Sequence, residues 1–306
     1  MIDARAHTIE QHTTPDGVRV ALHRLGPRKR VPVLLVPGTF SNHTFWFGTR
    51  GIGFARALVE AGFEACALDP RGHGQSQRPT HRDRWDFDDW ARQDVPTVLR
   101  SLIAEQRRPF LIGHSAGGAA ALIALAANPE LRPQVRGVVL VATPVPWLQP
   151  WRGAMPWLLK TISRLLGRFP ARFLRLGPED ELEGAMAQWM SWQLARRWTG
   201  DDGTDYEAGL RVLDLPLLAI AATADRYFAP PPACRALYEL IKSPDKTLLM
   251  CGRATTYGED FSHASILTGR AARTEIWPKI VTWLRQRTPR NPDAPHTPPT
   301  PDTPLT

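Results

Sequence analysis

The sequence predicts an α/β protein with a mostly parallel sheet, helices on both faces and one long helical insertion. Three observations predict it. Short apolar runs alternate with amphipathic or Ala-rich stretches along most of the chain. The apolar run Pro109 to Ile112 leads through Gly113-His114-Ser115-Ala116-Gly117 directly into the Ala- and Leu-rich stretch Ala116 to Ala127, so a buried strand turns sharply into a helix. The alternation is interrupted once, from Thr143 to about Leu213, by a stretch with helical patterning and six tryptophans, at 147, 151, 157, 189, 192 and 198.

In chain order, His7 to Gln11 and Val18 to Leu25 read as two strands joined by the turn Pro15-Asp16-Gly17. Val31 to Val36 is a continuous apolar run, hence a strand covered on both faces. It ends in the loop Pro37-Gly38-Thr39-Phe40. Gly51 to Ala61 is an amphipathic helix stopped by Gly62, and Glu64 to Leu68 is the next strand. Asp94-Val95-Pro96 has the pattern of a helix start, an acid followed by an early proline, and the helix should run to about Glu105. Val135 to Val141, Leu215 to Ala221 and Lys246 to Met250 are further strands. Pro231 to Ile241 and Arg270 to Arg287 are helices. The expected division is a core over residues 1–142 and 214–287, an insertion over 143–213, and a Pro- and Thr-rich disordered tail over 288–306.

Composition excludes several classes. With 306 residues and 43% hydrophobic content the chain can bury a large core. No run has the length and apolarity of a membrane span, and Met1 to His12 has no apolar stretch of the kind that opens a secretory signal. Asn42-His43-Thr44 matches a glycosylation acceptor, an idle match without such a signal. The three cysteines, at 66, 234 and 251, are odd in number and match no metal spacing. Cys66 and Cys251 fall in strand-like runs and read as small buried hydrophobes, and a cytoplasmic, reducing location fits. The net charge of +8 is nearly all arginine and scattered along the chain. No nucleic-acid motif accompanies it, so no nucleic-acid partner is expected. The sequence carries no signal for an oligomeric state.

The chemistry is concentrated at Ser115. In the G-x-S-x-G turn the serine is held in a strained backbone conformation with its hydroxyl exposed. The helix that follows presents free N–H groups and a positive dipole end to a developing oxyanion. A phosphate-cradling loop is excluded because no lysine follows the glycines and no G-x-G-x-x-G is present. A serine hydroxyl needs a histidine base, and the base needs an orienting carboxylate. Asp225 stands just past the strand Leu215 to Ala221, at the sheet's carboxyl edge, and His263 follows the strand ending at Met250. This is the order Ser, Asp, His. The oxyanion hole is assigned to the N–H groups of Ala116 and Thr39, with Phe40 as the alternative to Thr39. His73 and His114 lie in turns near the site, where loop hydrogen bonding and packing are their expected roles.

Asp69-x-Arg71-Gly72-x-Gly74-x-Ser76 resembles the loop after the fourth strand of the α/β-hydrolase superfamily. Trp85-Asp86-Phe87-Asp88-Asp89-Trp90 with Asp94-Val95-Pro96 is similar to a stretch of the lysosomal acid lipase group and its bacterial relatives. The resemblance spans about residues 15 to 287. It implies the α/β-hydrolase fold and a carboxylic ester hydrolase with a helical cap over its site, and by matching position it supports Ser115, Asp225, His263, Ala116 and Thr39. The chain departs from those relatives in having Pro37-Gly38 for His-Gly, Ala116 where the acid-lipase elbow has Gln, and a shorter cap. The nucleophilic serine argues against epoxide hydrolase and haloalkane dehalogenase chemistry.

The resulting expectation is a carboxylesterase or lipase-like serine hydrolase acting on a small hydrophobic ester, with no metal or organic cofactor. The same triad could act on amides, lactones, thioesters or polyesters. A non-catalytic binding protein on the same scaffold is the rival from another class. Phe40, His114, Trp147, Trp157 and Trp189 are the expected pocket residues. Trp157 to Leu176 has Leu158, Leu159, Ile162, Leu165, Leu166 and Phe169 at helical spacing, with Lys160, Arg164 and Arg168 on another face. Pro170 should break it. It reads either as a cap helix packed on the site or as an element that meets an anionic lipid surface.

Overall fold

A computed structural model of the chain describes residues 7–48, 51–148 and 153–289. Its strands are β1 (His7–Thr13), β2 (Arg19–Leu25), β3 (Pro32–Val36), β4 (Glu64–Asp69), β5 (Phe110–His114), β6 (Gly137–Val141), β7 (Arg168–Phe169), β8 (Glu181–Leu182), β9 (Leu217–Ala222) and β10 (Lys246–Cys251). β7 and β8 pair with each other. The other eight form one sheet in the order β1-β2-β4-β3-β5-β6-β9-β10. Within this sheet β1 with β2 and β2 with β4 are antiparallel and the other five pairings are parallel. The parallel strands are apolar on both faces because both are covered. In β3, Val33 and Leu35 belong to one core cluster, and Leu34 and Val36 to the other.

The helices are α1 (Thr44–Phe47), α2 (Phe54–Glu60), α3 (Phe87–Asp89), α4 (Val95–Ala104), α5 (Ala116–Ala127), α6 (Met155–Leu166), α7 (Glu183–Ala195), α8 (Tyr206–Arg211), α9 (Pro231–Leu240), α10 (Ser265–Thr268), α11 (Ala272–Glu275) and α12 (Trp277–Gln286). α2 and α12 cover one face of the sheet. α4 and α5 cover the other. α5 is buried from Ala116 to Leu125, and so it lacks a polar stripe. The chain passes from β3 to β4 on one side and returns to β5 on the other. The carboxyl ends of β3 and β5 are therefore the switch point of the sheet, where a crevice opens.

Four local expectations are corrected. Asp94 does not start a helix. The helical run begins at Phe87, capped by Asp86 and Asp89 in a reciprocal capping box. It continues through a single π turn, Trp90–Asp94, into α4. That turn lies just ahead of Pro96, where the ladder must absorb a missing N–H. Asp94 points inward instead and accepts from the N–H and Nε of buried Arg71 at 2.8 and 2.9 Å. The closing helix is two pieces, parted at Ile276 just before Pro278. The helix of the insertion stops at Gly167 in the left-handed conformation (φ +66°), three residues before Pro170. The insertion is also not wholly helical, because β7 and β8 form a small sheet inside it. The tail expected from residue 288 lies, from residue 290 on, outside the described residues, as does Trp151. No helix among the described residues is long and apolar enough to cross a membrane.

Asp69, at the carboxyl end of β4, ties the loops of this edge together. It accepts from His23 Nε2 on β2 (2.9 Å), from the N–H and Nδ1 of His43 (2.7 and 3.0 Å) and from the Gln75 N–H (2.8 Å). Burial works against its charge, but these donors outweigh it and hold the carboxyl far below the usual carboxylate range. A depressed pKa contributes stability that is complete above the unfolded value, about 4, and is lost as pH falls through the folded value. Asp69→Asn should cost about 3 kcal/mol at pH 7 in urea unfolding. The gap to wild type should narrow steadily below about pH 4. A gap that stays constant down to pH 2.5 would show that the Asp69 charge does not hold these loops.

Candidate active site

Ser115 sits at the corner between β5 and α5 with φ +54° and ψ −127°, a conformation that costs about 1–3 kcal/mol in a non-glycine residue. Its N–H is fixed to the Val141 carbonyl at 2.9 Å. The corner also needs Gly117, because a Cβ there would collide with the carbonyl oxygens of Val36 and Pro37. This close approach brings the start of α5 against the loop after β3. The N–H groups of Ala116 and Thr39 have no acceptor among the described residues. Phe40, the alternative to Thr39, has its N–H bound to the buried Glu181 carboxylate at 3.1 Å and is not free to serve.

Asp225 and His263 meet across the ends of β9 and β10. His263 Nδ1 donates to Asp225 Oδ2 at 2.5 Å, which leaves Nε2 without its proton in the neutral ring. The Phe228 and Ala229 N–H groups also donate to Asp225, each at 3.1 Å. Burial raises the Asp225 pKa, but His263 and these two N–H groups outweigh it, so the carboxyl sits below its ordinary value. The Ala224 N–H donates to the Phe261 carbonyl at 3.1 Å and stitches the Asp225 loop to the His263 loop. No hydrogen bond joins Ser115 to His263.

His114 is not a pocket residue. It is buried behind the site, stacked on Phe45, and its Nε2–H donates to the His263 carbonyl at 2.9 Å. Burial and the neighbouring His263 push its pKa down to about 3, so the ring stays neutral. Its role is to hold the His263 loop.

An apolar cavity of about 190 Å³ opens at Ser115, and Thr39 and Ala116 are among the residues that line it. Phe40, Phe169, Trp189, Met186, Leu159 and Phe228 contribute to its walls. Of the expected pocket residues, Phe40 and Trp189 line it. Trp147 packs on Trp198 instead, and Trp157 stands 61% exposed on the outer face of α6. Trp192 and Trp198 join Phe87 and Tyr206 in a buried aromatic seam that packs α7 onto the body. Three of the five described tryptophans of the insertion, Trp147, Trp192 and Trp198, serve packing, because one flat ring suits a core as well as a pocket.

Sequence reasoning missed Glu179, Glu181 and Phe228. The two glutamates lie in the run Pro178-Glu179-Asp180-Glu181-Leu182-Glu183, which reads as a solvated acidic loop. Yet both are buried, at 6% and 1% exposure. Among the described residues, one group has the spacing of metal ligands: His23, His43 and Asp69. Its ligand atoms already bond one another or backbone N–H groups, and the His23 and His43 rings stack at 3.6 Å. That donor set is spent on holding loops.

The family model described as "Alpha/beta hydrolase family" matches residues 33–296. A probable lipase of Schizosaccharomyces pombe is 29% identical over 153 residues, 44% of this chain and 34% of that protein. Lipase member K of Homo sapiens is 27% identical over 142 residues, 40% of this chain and 36% of that protein. The chain thus spans about a third of the length of these curated relatives. Among solved structures, a thermophilic esterase from Thermogutta terrifontis superposes with a TM-score of 0.64 at 18% identity, over 92% of this chain and 99% of that one. A monoglyceride lipase from Saccharomyces cerevisiae superposes with a TM-score of 0.67 at 16% identity, over 95% and 98%. At these identities the two structures speak for the fold alone. The family match runs through both halves of the sheet and the insertion between them, and this chain belongs to the alpha/beta hydrolase family.

Proposed function

We propose that this protein is a serine hydrolase that cleaves carboxylic esters bearing a hydrophobic acyl or alcohol group. The observation that carries the reading is the Asp225-oriented imidazole of His263 at the same sheet edge as a strained Ser115, which opens into an apolar cavity. Ser115 Oγ attacks the ester carbonyl carbon while His263 Nε2 takes the hydroxyl proton. Asp225 fixes the imidazole tautomer and balances the imidazolium. The Thr39 and Ala116 N–H groups receive the oxyanion of the tetrahedral intermediate. Collapse expels the alcohol, protonated by His263, and leaves an acyl-enzyme. Water then repeats the cycle and releases the acid. The reading requires that a Ser115–His263 hydrogen bond form when substrate enters, as catalytic bonds often tighten only then. Residues 143–213 act as a cap over a core made of residues 1–142 and 214–287. The lipase names of the curated relatives agree with this chemistry, and the three unpaired, buried cysteines agree with the cytoplasm.

The cap also fits an anionic lipid surface. Most of the large exposed apolar side chains of the described protein lie between residues 155 and 176, among them Trp157, Leu158, Leu165, Leu166 and Phe173. Lys160 donates to Ser191, while Arg164 and Arg168 pair loosely with Glu183 and Asp180. The side chains of Arg172 and Arg175 are exposed and have no partner among the described residues. Apolar bulk beside unpaired cations suits a surface of acyl chains under anionic headgroups.

Two measurements test these readings. Ser115→Ala and His263→Ala should each lower turnover of p-nitrophenyl esters by about 10^6, and Asp225→Asn by about 10^4, with circular dichroism unchanged. A fluorophosphonate should label Ser115, and the rate should rise with acyl length until the cavity is filled. A folded Ser115→Ala with near wild-type activity would sink the mechanism. A preference for acetate over longer esters would sink the hydrophobic substrate. For the cap, wild type should co-sediment with phosphatidylglycerol vesicles at low salt and release at high salt. Phe173→Ser with Leu165→Ser should abolish binding, and Arg172→Glu with Arg175→Glu should remove the preference over phosphatidylcholine. Wild type that ignores both vesicle types would remove the lipid reading.

A further inference from the structure

Phe40 stands at φ +64° directly after Thr39, and one segment of the insertion takes both of its backbone groups. Its N–H donates to Glu181 Oε2 at 3.1 Å. Its carbonyl accepts from the Glu179 N–H at 3.1 Å. Gly177 lies flat against that carbonyl, where a Cβ would collide with it. The Glu179 carboxylate reaches further along the same loop and accepts from Asn42 Nδ2 at 2.6 Å. The first of these bonds fixes the peptide between Thr39 and Phe40, and the contacts to the carbonyl fix the next, between Phe40 and Ser41, so the insertion holds both sides of Phe40.

Glu181 needs a counter-charge to hold this position, since its side chain is fully buried. His73, also fully buried, provides one. Its Nδ1 lies 3.1 Å from the Arg71 carbonyl, which can only accept, so Nδ1 carries a proton. Its Nε2 faces Glu181 Oε1 at 3.5 Å. Both ring nitrogens thus face acceptors, the arrangement that suits the imidazolium. Burial favours the neutral ring, but the Glu181 carboxylate overcomes it and lifts the His73 pKa above the ordinary value.

We propose that Glu181, balanced by His73, is a positioning residue for the oxyanion hole: by holding the Phe40 N–H it fixes the Thr39–Phe40 peptide, and through the Thr39 backbone it aims the N–H of the adjoining Gly38–Thr39 peptide at the oxyanion. The inference rests on the ester-hydrolase reading above. It makes the hole a joint product of the sheet and the insertion. A displacement of the 177–181 segment would turn the Thr39 donor away without touching Ser115, Asp225 or His263.

The test separates transition-state from ground-state effects with Glu181→Ala, Glu181→Gln and Gly177→Ala. An amide oxygen can still accept from Phe40, so the Gln variant is the conservative rescue. Glu181→Ala should lower kcat on p-nitrophenyl butyrate about 10²-fold with KM within about threefold, as expected when a donor is lost only in the transition state. Affinity for an alkyl trifluoromethyl ketone should fall by a similar factor. Glu181→Gln should recover to within about tenfold of wild type. Gly177→Ala, which presses on Phe40 from the other side, should reproduce the kcat-specific loss and serves in place of Glu181→Ala if that variant does not fold. Wild-type kcat and ketone affinity in folded Glu181→Ala, or in Gly177→Ala, would overturn the clamp. So would a Gln variant as impaired as Ala. A wild type without Ser115-dependent turnover would instead overturn the hydrolase reading beneath it.

Discussion

The site depends on holding the Ser115 backbone at a positive φ. That conformation is unfavourable for serine, and three neighbours impose it. β6 holds the N–H through Val141, and the Gly117 backbone presses on the end of β3. α5, buried along nearly its whole length, cannot shift to relieve the strain. This conformation carries the hydroxyl to the sheet edge beside the first N–H of α5, which has no intrahelical partner, as at any helix start. The parallel pairing of β3 with β5, from Val33–Phe110 to Val36–Gly113, puts the Thr39 loop at the same height. The site is thus a consequence of strand register before it is a matter of particular side chains.

Around this corner, buried charges do the holding. Asp69 gathers β2 and the loops after β3 and β4, Arg71 bonds Asp94 and Asp16, and Glu179 and Glu181 carry the insertion onto the loop after β3. Isolated buried charges are costly, but each of these is met by several donors or acceptors. The result is specificity of arrangement: an apolar contact would tolerate sliding, whereas a carboxylate that has accepted two named N–H groups does not. Phe40 gives the plainest case. Its ring lines the apolar cavity while its backbone is pinned by acids on the far side.

The sheet could be read from the sequence because parallel strands covered on both faces are continuous apolar runs, as in Val31 to Val36 and Val135 to Val141. That Ser115, Asp225 and His263 come to one sheet edge is legible for a related reason: the first two follow such runs, and His263 follows the edge strand β10. Other features had no local signature. Asp94 before Pro96 has the pattern of a cap, and only the three-dimensional proximity of Arg71 reveals it as a buried partner. Glu179 and Glu181 look solvated because four acids fall within five residues, and burial by residues more than a hundred positions away leaves no trace in their own neighbourhood. The tryptophans misled for a different reason. Helical spacing says which residues share a face but not whether that face meets the core, a cavity or water. Trp189, Trp192 and Trp157 turned out to be one of each.

That division of the tryptophans gives the protein its own optical reporters. Trp192 and Trp198 sit in a buried seam whose environment is fixed by the fold, and their emission should be blue-shifted and steady. Trp157 stands in water on the outer face of α6, beyond the reach of ordinary quenchers only if something covers it. Trp189 lines the cavity, where a bound molecule would touch it. A surface event, an occupied cavity and an unfolded core would therefore each change the fluorescence of a different ring in one unlabelled chain.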